Sequence, residues 1–91
     1  MIIFYKDSDL WLGWTEESGI ISVHTEIYAW SLSKYKKYLV VFGSFLNTIK
    51  APVVYSVAKT EKAKKFNELF GFSILKEESG VYTMKLEVAY V

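Results

Sequence analysis

The sequence predicts one mixed α/β domain with the element order βββαβαββ, an α+β protein built on a mixed sheet. Three observations carry that reading. Up to Tyr28 the chain alternates short β-prone runs with turn clusters. From Ser31 its apolar residues switch to helical spacing. After Pro52 come a β-branched run, a short helix and a hairpin. No linker, internal repeat or low-complexity segment divides the 91 residues, a length that suits a single domain.

Ile2 to Lys6 is the first strand, closed by the turn Asp7-Ser8-Asp9. Leu10 to Thr15 is the second, rich in tryptophan and interrupted by Gly13, a bulge or a point of close approach. Glu16-Glu17-Ser18-Gly19 turns the chain into a third strand, Ile20 to Tyr28. Alternation there sets Ile21, Val23, Thr25 and Ile27 on one face, with Ser22, His24, Glu26 and Tyr28 on the other. Between Ser31 and Ile49, residues Leu32, Tyr35, Leu39, Phe42, Leu46 and Ile49 recur at spacings 3, 4, 3, 4 and 3, one stripe of a helix. Val40, Val41 and Phe45 widen the stripe, so this helix is expected to be buried on more than one side. Ser31 or Ser33 caps its start, and Lys50-Ala51-Pro52 ends it. Val53 to Ala58 is a strand reached by a long helix, hence expected to lie parallel to an earlier neighbour. Thr60 caps a second helix running to Phe70, with Ala63, Phe66 and Leu69/Phe70 inward and Gly71 as its stop. Phe72 to Lys76 and Val81 to Val88 form a closing hairpin around Glu77-Glu78-Ser79-Gly80.

Composition bounds the partners. The chain is 52% hydrophobic and 18% aromatic, a large apolar load for its length. Tyr5, Trp11, Trp14, Tyr28, Trp30, Tyr82 and Tyr90 outnumber the places beneath two helices. A remnant is therefore expected at the surface, where aromatics anchor a homodimer or a protein partner. Net charge is +1, all eleven basic residues are lysine, and arginine is absent. No global field or bidentate fork draws the chain to nucleic acid, and the reading is against such a partner. No apolar run is long enough for a bilayer and no signal peptide is evident, so a small soluble cytoplasmic protein is expected. Without cysteine there is no disulfide framework or zinc-thiolate site, and with a single histidine no metal site is expected.

The segment Thr60-Glu61-Lys62-Ala63-Lys64-Lys65-Phe66-Asn67-Glu68-Leu69-Phe70-Gly71-Phe72 resembles the late helix of GNAT acetyltransferases. There the pattern is Asn-x-x-Ala-x-x-Phe-Tyr-x-x-x-Gly-Phe, and Ala63, Phe66, Gly71 and Phe72 fit it without a gap. From about Val23 to Leu86 the element order resembles the acetyl-CoA-binding half of that family. The N-terminal strand and two helices of the substrate side are missing, which makes this a truncated GNAT-like fold. A similar compact arrangement occurs in small GNAT-like proteins of tailed bacteriophages, some of them virion components. The resemblance thus implies residence in a host cytoplasm or a virion.

The resemblance also implies acetyl-CoA as cofactor and N-acyl transfer as activity, and assigns positions to both. The family's glycine loop, which holds the pyrophosphate at the start of the long helix, falls on Tyr28 to Lys34. Here Ser31, Ser33 and Lys34 stand in place of the motif. Thr60 falls on the asparagine that bonds the pantetheine arm, and is equally a plain helix cap. Asn67 falls on the tyrosine that protonates the departing thiolate, and an amide gives up no proton at neutral pH. His24 and Glu26, two residues apart on one strand face, are the candidate bases. Lys34, Lys36 and Lys37, and then Lys59, Lys62, Lys64 and Lys65, form two clusters. Either they face the phosphates of CoA or they are a solvated surface. Two readings follow: an acetyltransferase-like protein with a degenerate acetyl-CoA site, or a non-catalytic binding or structural module on the same scaffold.

Overall fold

The structure is a computed structural model that describes residues 1–28 and 31–88. Its elements follow the expected order: β1 (Ile2–Lys6), β2 (Leu10–Glu17), β3 (Ile20–Ile27), α1 (Leu32–Ile49), β4 (Val53–Ala58), α2 (Glu61–Leu69), β5 (Ser73–Glu78) and β6 (Val81–Glu87). The six strands form one mixed sheet in the spatial order β1-β2-β3-β4-β6-β5. Neighbours run antiparallel except β3 and β4, which are parallel and joined by the α1 crossover.

Two turns set most of the register. Ser18-Gly19 and Ser79-Gly80 both hold positive φ at each residue, 53° and 81°, then 52° and 77°, the pattern of two-residue hairpin loops that match strand twist. With Glu17 opposite Ile20, the count along β2 and β3 sets Trp11 opposite Glu26 and Gly13 opposite His24. Gly13 is the close-approach point: a Cβ there would lie 2.8 Å from the Met1 sulfur and 3.1 Å from the Ile2 carbonyl oxygen. The irregularity itself sits on β1, between Ile3 and Tyr5.

Both helices pack on one face of the sheet. Leu10, Leu12, Ile21, Val23, Val54 and Met84 meet Tyr38, Val41, Phe42 and Phe45 of α1 in a single core. Phe66 of α2 and Phe70, which caps its C-terminus, stand against Tyr38 at ring distances of 5.3 and 4.7 Å. Burying each such large side chain stabilises the fold by about 1.5–3 kcal/mol. By alternation, Trp11, Thr15, Ser22, His24, Glu26 and Tyr55 occupy the opposite face, which none of the described helices covers.

The burial of α1 differs from the expected stripe. Its buried residues are Tyr38, Val41, Phe42 and Phe45. Leu32, Leu39 and Val40 are 70%, 43% and 73% exposed, so the helix is buried on one side only. The apolar arc of α1 is wider than its contact, and the rings take the inside because α2 presents Phe66 and Phe70 to that flank. Among the aromatics expected at the surface, Tyr82 is buried, and Tyr5, Trp11 and Trp14 are half-buried. Tyr28 is exposed, and Trp30 and Tyr90 lie outside the described residues. Surface apolar area is mainly aliphatic, on β1, the outer side of α1, and β5. Among the described residues no helix is long and apolar enough to cross a membrane.

Candidate functional site

The parallel seam of the sheet is short. β3 is eight residues long and β4 six, yet they pair only at Ile21–Val54 and Ser22–Tyr55. Past that point Ser56 Oγ donates to the Val23 carbonyl oxygen at 3.3 Å, wedged between the two main chains. Asn67 Nδ2 donates in turn to Ser56 Oγ at 3.3 Å and leans on the Met84 sulfur at 3.5 Å. The strands diverge beyond this wedge.

Main-chain geometry follows from alternation. Val23 turns its carbonyl to β4, while Tyr28 N–H bonds back to the Asp9 carbonyl at 2.9 Å. His24, Glu26 and Tyr28 therefore direct their peptide groups to β2, and Thr25 and Ile27 direct theirs into the divergence. A sheet edge is thus presented in the middle of the sheet, and peptide groups at such an edge require partners.

Two connected cavities fill the divergence. The inner one, about 290 Å³, has Trp11, His24 and Glu26 toward the uncovered face, and Ser56, Phe66 and Asn67 toward α2. The outer one, about 820 Å³, runs between the end of β3 and α2, with Ile27, Tyr28, Phe66 and Leu69 as apolar walls and Lys62 and Lys65 on its rim. Thr25, Glu26, Ala63 and Phe66 line both, so one cleft passes through the sheet. Beneath it the Tyr38 hydroxyl lies 2.7 Å from Thr25 Oγ1, and burial pushes the Tyr38 pKa up to about 12.

The sequence-derived residues divide into two groups. His24 and Glu26 share the inner cavity, where Trp11 Nε1 donates to Glu26 Oε2 at 3.0 Å and orients the carboxylate. Thr60 lines the outer cavity and is also the N-cap of α2, its Oγ1 accepting from Ala63 N–H at 3.0 Å. Ser31, Ser33 and Lys34 line neither cavity. Ser31 caps α1 by accepting from Lys34 N–H at 3.3 Å, and its hydroxyl meets that of Ser33 at 3.1 Å. The Lys34 ammonium lies 3.4 Å from the Asp9 carboxylate.

Other lysines are engaged too. Lys37 pairs with Asp7 and, at 3.2 Å, with Asp9. Donation from Lys37 and Tyr5 holds the Asp7 carboxyl well below the usual carboxylate range, and the same contact raises Lys37. Lys64 pairs with Glu61 at 3.1 Å, and Tyr82 donates to Glu61 at 2.9 Å. That donation, then Lys64, lowers the Glu61 carboxyl. Lys62 and Lys65 stay exposed at the groove.

Trp11, Ser56 and the tyrosine wall at Tyr28 were not marked as site residues by the sequence. For Trp11 a signal existed, since counting back from Ser18-Gly19 sets it opposite Glu26. Ser56 carried none. Among the described residues no cluster of three or more metal-ligating side chains occurs. No protein-family profile, curated protein or solved structure matches the chain.

Proposed function

We propose that the protein is a GNAT-like, acetyl-CoA-binding protein whose cleft between β3 and β4 takes the acyl-pantetheine arm, with acyl transfer weak or lost. One observation carries the reading: Thr25 and Ile27 offer main-chain donors and acceptors to a through-sheet cleft with apolar walls. An extended chain bearing amides, followed by an apolar or thioester end, satisfies that edge as an added strand would. Beyond the Ser56 contact on Val23 the open edge runs from His24 to Tyr28, about 13 Å at ~3.3 Å per residue, room for the amide-bearing part of an extended arm. Glu26, oriented by Trp11, or His24 would take the proton from an amine approaching on the uncovered face.

A second reading, binding without turnover, is favoured by Asn67. It stands in the inner cavity where the resemblance implies an acid, and its amide is spent on Ser56. Calorimetric titration with acetyl-CoA tests the first claim, and binding in the micromolar range is expected. An absence of heat at high micromolar ligand removes the proposal. Thioester turnover with a panel of amines, compared between the native chain and Glu26→Gln, separates transfer from binding alone.

A further inference from the structure

We infer that the open edge of β3 takes an extended segment of a partner protein as an added strand, with alternate side chains seated on the two faces of the cleft. The geometry of the edge is enough for this, whether or not acetyl-CoA also binds there.

Three observations lead there. First, the groups left over are those of a strand. Thr25 and Ile27 turn their N–H and C=O into the divergence, two residues and so about 6.6 Å apart at ~3.3 Å per residue. Each needs a donor and an acceptor at that spacing, which is the repeat of another peptide chain in extended form. The six strands already have their places in the sheet, so the filler comes from outside them.

Second, the cleft has the two faces that a strand requires. On the helix side Ile27, Phe66 and Leu69 form apolar walls. On the uncovered side stand His24 and Glu26, with the Trp11 indole donating to the carboxylate. Successive side chains of a strand point to opposite faces, so a segment of alternating apolar and polar residues fits both at once. An unbranched arm has no side groups for those seats.

Third, charge does not select the occupant. Lys62 and Lys65 share the outer groove with Glu26 and Glu68, so its lining carries no net charge. Main-chain pairing and apolar contact remain as the sources of affinity. The segment that fits is therefore uncharged along the cleft, and it has no proline where an N–H must meet Thr25 or Ile27.

The test is calorimetric and NMR titration of the full chain with end-blocked peptides of the form Thr-X-Thr-X-Thr, X being Ala, Val, Leu or Phe. The best of them is expected to bind with a Kd on the order of 10–100 μM. Raising the salt from about 50 to about 500 mM should change that value less than about twofold. Bound peptide should slow amide exchange at Thr25 and Ile27 and leave His24 and Glu26 unchanged, and the fully N-methylated peptide should not bind. Ile27→Pro, a substitution that a free edge tolerates, removes one donor and should weaken binding at least about tenfold. Leu69→Asp, on a side chain 60% exposed, should do the same without unfolding the chain. The double variant Lys62→Ala/Lys65→Ala should stay within about twofold of the native chain. Absence of binding across the panel at about 1 mM would overturn the inference, as would equal binding of the N-methylated peptide. So would a larger loss in the lysine variant than in Leu69→Asp. A dimer that the peptide dissolves would give the edge to a second copy in place of a partner, and overturn it too. Acetyl-CoA, where it binds, should displace the peptide; both bound together would remove the peptide from this edge. Peptide binding without acetyl-CoA binding leaves the strand site standing and removes the acyl-donor reading, and the reverse result does the opposite.

Discussion

At the scale of single residues, Tyr38 couples the core to the cleft and to pH. Its pKa, pushed up to about 12 from 10.0, is raised first by burial, against which the Thr25 hydroxyl works only partly. Above pH 10 the unfolded chain releases a proton that the folded chain keeps, so stability present below pH 10 is lost as pH climbs toward 12. Tyr38→Phe should cost about 1 kcal/mol at neutral pH, by leaving Thr25 without its partner, and should flatten that alkaline fall. Denaturant melts between pH 8 and pH 12 would show it; an unchanged alkaline limb would contradict the assignment. Asp7 works in the opposite sense. Its carboxyl is lowered, so its contribution is present above about pH 4, the unfolded value, and fades as pH falls through the folded one. Lys37 is raised and keeps its contribution until pH passes about 10. Asp7→Asn should therefore lower the melting temperature by a constant amount across the neutral range, and the gap to the native chain should close below about pH 4. A gap that persists unchanged at lower pH would mean that the ion pair is not its source.

At the scale of elements, α2 is the least anchored helix, since none of its nine residues is fully buried. Rings hold it: Phe70 lies 4.7 Å from Tyr38, 4.9 Å from Phe66 and 6.0 Å from Phe42. Phe70→Ala should cost about 3 kcal/mol, whereas Leu69→Ala, on a side chain 60% exposed, should stay within about 0.5 kcal/mol. Equal losses in urea unfolding would mean that the helix is rotated from this orientation. The sequence left Leu69 and Phe70 as one inward position, because consecutive residues near a helix end differ in angle less than the width of an apolar arc. The same ambiguity misplaced Leu32, Leu39 and Val40 on α1. Where local chemistry is sharper, more was legible. Thr60 and Ser31 are caps as expected and Gly71 holds the left-handed φ of 93°, whereas the turn expected over Glu16 to Gly19 tightens to Ser18-Gly19 and extends β2 to Glu17, which sets the pairing around His24 and Glu26. The parallel placement of β4 followed from the crossover. Its divergence from β3 did not, since it depends on Ser56 and Asn67 meeting across the fold.

At the scale of the molecule, the sheet is two antiparallel three-stranded units, β1-β2-β3 and β4-β6-β5, joined by two residue pairs and the α1 crossover. β2 and β3 pair along eight positions and β4 and β6 along six, so the seam is the weakest junction in the sheet. The rings shared by α1 and α2 hold the units together on one face, and the other face has no described helix across the seam. The cleft at this junction leaves the ladders within each unit intact. Amide exchange should report this directly. His24 and Glu26, whose N–H groups bond β2, should be protected well above Thr25 and Ile27, although all four alternate on one strand. A pantetheine compound bound at the edge should slow Thr25 and Ile27 selectively, while His24 and Glu26 change little. Equal protection of all four in the free protein would mean that β3 and β4 zip together in solution. The cleft, and the ligand reading built on it, would then fall.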